Sequence, residues 1–171
     1  MTHALIVLLA LLIGVVAGLR SLTAPAVVAW AAFIGWVDLH GTWASWMANI
    51  ITVIVFTVLA VGELVNDKLP KTPARTAAPI FAARIVLGGL AGAALGAWPY
   101  WTFTALGAGV IEGAVLGTLG AYHARRRLVA ATGGKDLPIA LLEDVVAIAG
   151  GFAILAATGH VLTGYLLTAA K

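Results

Sequence analysis

Glu63 and Asp67 stand four residues apart in "VGELVNDKLPKTPART", so a helix would place both carboxylates on one face, with Lys68 beside them. Glu143 and Asp144 are neighbours in "LPIALLEDVVAIAGG". Glu112, Arg20 and Arg84 are each isolated in hydrocarbon, in "LGAGVIEGAVLG", "AGLRSLTAP" and "FAARIVLGG". Only 10% of this chain is charged, so each placement needs a reason. A lone charge at the centre of a membrane-spanning helix costs roughly 2.5–3.5 kcal/mol on insertion scales, and a partner relieves much of that. The eight residues are therefore expected to converge. Five acids (Glu63, Asp67, Glu112, Glu143 and Asp144) against Arg20 and Arg84 would leave an excess of negative charge, suited to holding a cation or passing protons. The plainer alternative is that Glu63 and Asp67 reach the interface and pair with Lys68 or Lys71.

Other chemistry is thinly represented. Cysteine is absent, which removes disulfides and thiolate chemistry. His3, His40, His123 and His160 are scattered without metal-ligand spacing, and they read as interface histidines. No HExxH, nucleophile elbow or phosphate-binding glycine loop occurs. No catalytic residue, metal or cofactor is predicted, and the chain is not read as an enzyme. An intramembrane enzyme ranks third, because carboxylates alone are a small catalytic kit.

The elements that must position these groups are hydrophobic helices. The chain has 171 residues, 62% hydrophobic, with a mean hydropathy of +1.05. Apolar runs of about 16 to 21 residues recur along it, which predicts one domain, residues 1–171, built as an all-α polytopic transmembrane bundle of about six helices. Residues 4–37 would span about 50 Å as one helix against a core of about 30 Å. Gly18 as a stop, Thr23 as a cap and Pro25 in a first turn favour two helices, 4–18 and 24–37; a single kinked helix is the alternative. Further helices are expected at 47–65, 77–97, 102–122 and from 138 to about 157, the last with or without a separate short helix at 158–170. Trp36, Trp43 and Trp46 suit an interface belt, and "WPYW" at 98–101 suits a tight turn at that same interface.

The net charge of +3 does not mark a nucleic-acid binder, because the basic residues gather in loops 66–76 and 123–137. With Lys and Arg absent from 38–45 and 98–101, both basic loops read as cytoplasmic. The N-terminus reads as an uncleaved first helix rather than a signal peptide. "ARRR" at 124–127 offers charge to anionic lipid headgroups, but a role as topology anchor is already sufficient for it.

Gly88, Gly92 and Gly96 repeat every four residues, and Gly109, Gly113 and Gly117 do so on the next helix. Small-residue stripes let backbones approach closely where lipid removes the hydrophobic force between helices. The simplest reading is a tight hairpin with the stripes facing each other; a homodimer seam or a pore wall is the alternative. Folding about "WPYW" brings Arg84 within reach of Glu112, so an ion pair is predicted there, either functional or a structural clasp. "TAPAVVAWAAFIG" and "TAAPIFAARIVLGG" echo one another, so two three-helix halves of inverted topology are a further possibility.

Three stretches, "AGLRSLTAP", "GELVNDKLPKT" and "LPIALLEDVVAIAGG", resemble the signatures of a bacterial integral-membrane family catalogued as domain of unknown function 4126. The resemblance falls on Gly18, Leu19 and Arg20; on Glu63, Asp67, Lys68 and Pro70; and on Pro138, Leu142, Glu143 and Asp144. It implies a membrane-embedded fold and brings no activity. The acidic pair that the family places after its Asp-Lys-x-Pro element is missing from "KTPART". The functional expectation is a transporter or channel for an ion or small solute, lipid-headgroup or lipid-carrier transport being a variant. The alternative is a non-catalytic membrane scaffold or assembly partner whose ion pairs lock helices. Expected partners are the lipid bilayer, an ion or small solute, and a second copy of the chain.

Overall fold

The computed structural model describes residues 3–69, 77–97 and 102–169; the side chains at 111–113, 158 and 160–169 lie outside that description. The described residues are helical, without strands. Helix α1 spans His3–Leu19 and α2 Thr23–Phe33; a 3-10 turn at Ser45–Ala48 precedes α3, Ile50–Asn66. Helix α4 spans Ala78–Leu95. Thr102–Gly107 (α5), a π-helical segment Ala108–Val115 and Leu116–Ala131 (α6) follow one another without a gap. Helix α7 is Asp136–Ala169.

Pro25 explains the break between α1 and α2. It has no N–H to give to the carbonyl of Ser21, and its ring would clash there, which disfavours one straight helix through this point. Gly18 does not stop α1, which continues to Leu19. It serves packing instead: a Cβ there would lie 2.5 Å from the Thr118 nitrogen. Thr23 is not the cap of α2 either; Leu22 holds that position with no side-chain bond of its own. Helix α2 ends at Phe33, four residues before the expected 37, and Gly35 turns the chain away at a φ of +80°.

Contacts along the helices give their directions. Ile6 and Ala10 of α1 pack near Ala105 and Ala108, while Gly18 lies on Gly117, so α1 runs alongside α5 and α6. Glu63 meets Ser21 at one end of the α2–α3 pair and Thr57 meets Trp30 further along, so α3 returns antiparallel to α2. Gly88 of α4 lies against Ala114 and Gly92 against Ala105, so α4 runs opposite to α5 and α6. Asp144 meets Arg20, Gly151 meets Val27 and Gly159 meets Trp36, so α7 runs parallel to α2. The chain thus runs alternately toward and away from one layer, at the α1–α2 break. Helix α2 is the centre, with nine of its eleven residues buried.

Glycines set the closest approaches. A Cβ at Gly109 would fall 2.5 Å from the Gly88 carbonyl oxygen, and one at Gly92 would fall 2.6 Å from that of Ala105. Gly88, Gly92 and Gly109 therefore face each other within one chain. Gly117 does not join that seam: it lies on Val15 and Gly18 of α1. Gly96 stands at the end of α4, and Gly113 lies outside the described side chains, as does the "WPYW" turn.

One further boundary differs markedly from expectation. The helix expected to end at 122 continues to Ala131, so Arg125, Arg126 and Arg127 are helical and the loop of 123–137 shrinks to 132–135. Gly133 and Gly134 make that turn at φ of +69° and +86°, a backbone open to glycine at little cost. The last apolar run is a single helix, α7, the one of the two expected forms without a separate helix at 158–170. Two helical stretches, Ala78–Leu95 and Asp136–Ala157, are long and apolar enough to cross a membrane. Of the first basic loop, residues 70–76 lie outside the description.

Candidate functional site

Where α1 ends and α2 begins, main-chain groups of both helices lack helical partners. Arg84 supplies one set. Its Nη1 donates to the carbonyl of Gly18 and, at 2.9 Å, to that of Leu19, placing positive charge at the C-terminal end of α1. Glu63 supplies the other. Its carboxylate accepts from the Ser21 N–H (2.8 Å), the Ser21 hydroxyl (2.6 Å) and the Leu22 N–H (2.7 Å), placing negative charge at the start of α2. Arg84 Nη2 lies 3.9 Å from Glu63 Oε1, which links the two ends. The cap comes from α3, forty-one residues further on, which sequence alone had assigned to Thr23.

Arg20 lies in the break and is fully buried. Its Nη1 is 2.7 Å from Asp67 Oδ2, its Nε donates to Asp144 Oδ1 at 2.7 Å, and its Nη2 is 3.7 Å from Glu143 Oε2. Lys68 donates to Asp144 Oδ2 and to the Leu64 carbonyl. Helices α3 and α7 thus deliver their carboxylates to one guanidinium.

Arg125 forms a second layer over the first. Its Nη1 donates to the same two oxygens, Asp67 Oδ2 at 2.9 Å and Glu143 Oε2 at 3.4 Å. Its Nε and Nη2 grip Asp136 in a two-point pair at 2.9 and 2.7 Å. Two arginines therefore sandwich two carboxylates.

Among the residues expected to meet, the structure brings together Arg20, Glu63, Asp67, Lys68, Arg84, Glu143 and Asp144. Glu112 is on the π-helical segment with its side chain outside the description, and the expected Arg84–Glu112 pair lies outside it too. Sequence reasoning missed Arg125 and Asp136, because "ARRR" had a sufficient role as an anchor. It also missed Ser21, whose hydroxyl and N–H both bind Glu63. The one available signal was the spacing of Arg125 from Asp136, which a tight helix–turn–helix closes.

These additions change the charge count: among the described side chains, Arg20, Lys68, Arg84 and Arg125 face Glu63, Asp67, Asp136, Glu143 and Asp144, and the expected side chain of Glu112 lies outside the description. Two crevices lie between these helices, and both are mainly apolar. One of about 150 Å³ lies between α6 and α7, with Arg125 and Glu143 at its wall. The other, about 130 Å³, lies between α2, α3 and α7. No cluster of metal-ligating side chains occurs among the described residues. In the distant turn after α2, Asp38 pairs with His40 at 2.8 Å; the backbone N–H of His40 lowers the Asp38 pKa. No family model, curated protein or solved structure matches the chain.

Proposed function

We propose that this chain is a small polytopic membrane protein that moves an ion or small solute, and that the two-layer charge network is its closed cytoplasmic gate. Kinship with the family that its three motifs resemble belongs to the same proposal. The membrane part is supported by how apolar surface and charge are distributed. Ile51, Ile54, Val58, Val61 and Val65 are all more than half exposed along α3, as are Leu137, Leu142, Val145 and Val146 on α7. Such continuous apolar faces fit lipid better than water. Six alternating passes follow if α5, the π segment and α6 cross as one, with α1–α3 and α4–α7 as halves of opposite sense. Positive-inside bias then puts the network and both basic segments on the cytoplasmic side of a bacterial inner membrane.

One observation carries the gating part: Arg20 and Arg125 hold the same oxygens of Asp67 and Glu143. Buried ion pairs are poor devices for stability, since desolvation offsets most of the attraction. Helices that only needed joining would do as well with the glycine packing found elsewhere in this bundle. Carboxylates with two alternative cations can release one without being stranded, which suits an element with two states. Half-helix ends beside such a site are where membrane transporters bind ions and charged substrates.

The second reading is a non-catalytic scaffold whose ion pairs lock five chain segments together. It is favoured by a specific observation: both crevices are mainly apolar, and of the network's acids Glu143 alone stands at the wall of either. Flux into proteoliposomes over a panel of ions and small anions separates the two. Wild type should exceed empty vesicles for at least one solute, and Glu143→Gln should change that flux by about tenfold. Equal traces for wild type, Glu143→Gln and empty vesicles would leave the scaffold.

A further inference from the structure

We infer that the crevice between α6 and α7 is a binding site for one anionic phospholipid of the cytoplasmic leaflet, with its phosphate on Arg125 and an acyl chain in the crevice. The inference rests on the membrane placement proposed above and does not depend on transport.

The crevice is shaped for a chain of methylenes. Leu19 of α1, Ala121, Ala124 and Leu128 of α6, and Leu142 and Val146 of α7 form most of its wall. Two of these are alanines on α6 facing α7, so the groove is left by small side chains rather than by missing helix. Leu128 and Leu142 are about half exposed, so the groove opens outward, toward lipid in this placement. Its polar wall residues are Arg125 and Glu143. An apolar groove with a guanidinium at one side matches an amphiphile with an anionic head, and basic pockets between helices on the cytoplasmic side hold such headgroups.

Arg125 can accept a phosphate without unbalancing the network. Its four hydrogen bonds to carboxylates leave one Nη2 hydrogen for a further acceptor. The partner most easily exchanged is Asp136, whose side chain is 58% exposed. Asp67 and Glu143 keep Arg20 whatever Arg125 does. Arginine also binds phosphate in the same two-point manner as it holds Asp136 now. Arg126 and Arg127 are exposed and follow on α6, outside the crevice wall; they attract anionic lipid in general and do not define the site.

The test uses the full chain purified in detergent, with lipid retention read by native mass spectrometry and by the lipid-dependent shift in thermal unfolding. The probes are phosphatidylglycerol, phosphatidylcholine and glycerol phosphate. Wild type should retain one phosphatidylglycerol at least about tenfold more tightly than phosphatidylcholine, and glycerol phosphate should be without effect. Leu142→Trp fills the groove at an exposed position and leaves every charge in place; it should weaken phosphatidylglycerol about tenfold. Asp136→Asn should tighten it, by freeing Arg125. The Arg126→Gln/Arg127→Gln pair should stay within about threefold of wild type. Equal binding of the two phospholipids, wild-type affinity in Leu142→Trp, weaker binding in Asp136→Asn, or an equal response to glycerol phosphate would each overturn the site. None of these readouts involves flux, so failure here and failure of the transport proposal are separate results.

Discussion

Arg20 and Arg125 touch the same carboxylates, yet their removal should have unequal consequences. Arg20 is fully buried, and Arg20→Ala takes one cation from Asp67, Glu143 and Asp144 at once. Breaking a buried pair from one side costs about 3–5 kcal/mol, because the remaining charge keeps its desolvation penalty. Arg125→Gln should cost about 1 kcal/mol or less, since Asp67 and Glu143 retain Arg20 and Asp136 faces solvent. Chemical denaturation of both variants in detergent measures the difference; equal losses would mean that the two layers are not distinct. Glu63 offers a second test at this scale. A glutamine keeps the shape, but its amide would put N–H groups against the N–H of Leu22 or Ser21. Glu63→Gln should therefore cost about 2 kcal/mol, above the usual loss of a helix cap, because hydrogen bonds to a charged acceptor are involved. A loss no larger than that of Thr23→Ala would show that Glu63 does not close the start of α2.

At the scale of elements, the glycine seam makes the sharper claim. A methyl group at Gly109 would meet the Gly88 carbonyl oxygen at 2.5 Å, and backbone cannot move aside as a flexible side chain can. Gly109→Ala should lower stability by about 1–3 kcal/mol, the range for overpacking. Gly120→Ala, with open space around it, should be neutral or slightly stabilising by helix propensity. Thermal unfolding of the two variants side by side decides this, and the same sign for both would argue against the seam. Gly117 belongs to a different contact, with α1, although it continues the four-residue row. The row crosses the π-helical segment at Ala108–Val115, where the turn is wider than in an α-helix. A stripe counted at α-helical spacing therefore drifts to another neighbour by its end.

For the whole molecule, the proposed membrane placement predicts opposite faces for the two ends of the bundle. The chain has no cysteine, so single cysteines need no background changes. Leu69→Cys lies past the end of α3 beside the network, and His40→Cys lies in the turn after α2; both positions are exposed. An impermeant maleimide should label His40→Cys from the periplasmic side of intact cells and Leu69→Cys only after the membrane is opened. Labelling of both from one side would overturn the alternating passes. Sequence alone carried much of this picture. Hydrophobic runs set helices, Gly18, Thr23 and Pro25 favoured a break between α1 and α2 over a kink, and the cost of a buried lone charge led Arg20, Glu63, Asp67, Glu143 and Asp144 to be expected to find partners. It could not choose the partners. A helix turns about 100° per residue, so which carboxylate faces which cation depends on the rotation and register of each helix against its neighbours. Only the packed bundle brought Glu63 to cap α2 across forty-one residues and extended α6 far enough to set Arg125 over Arg20. What is local to the chain, the breaks and the need for pairing, could be read from residue types; the pairing itself is a property of helices placed in three dimensions.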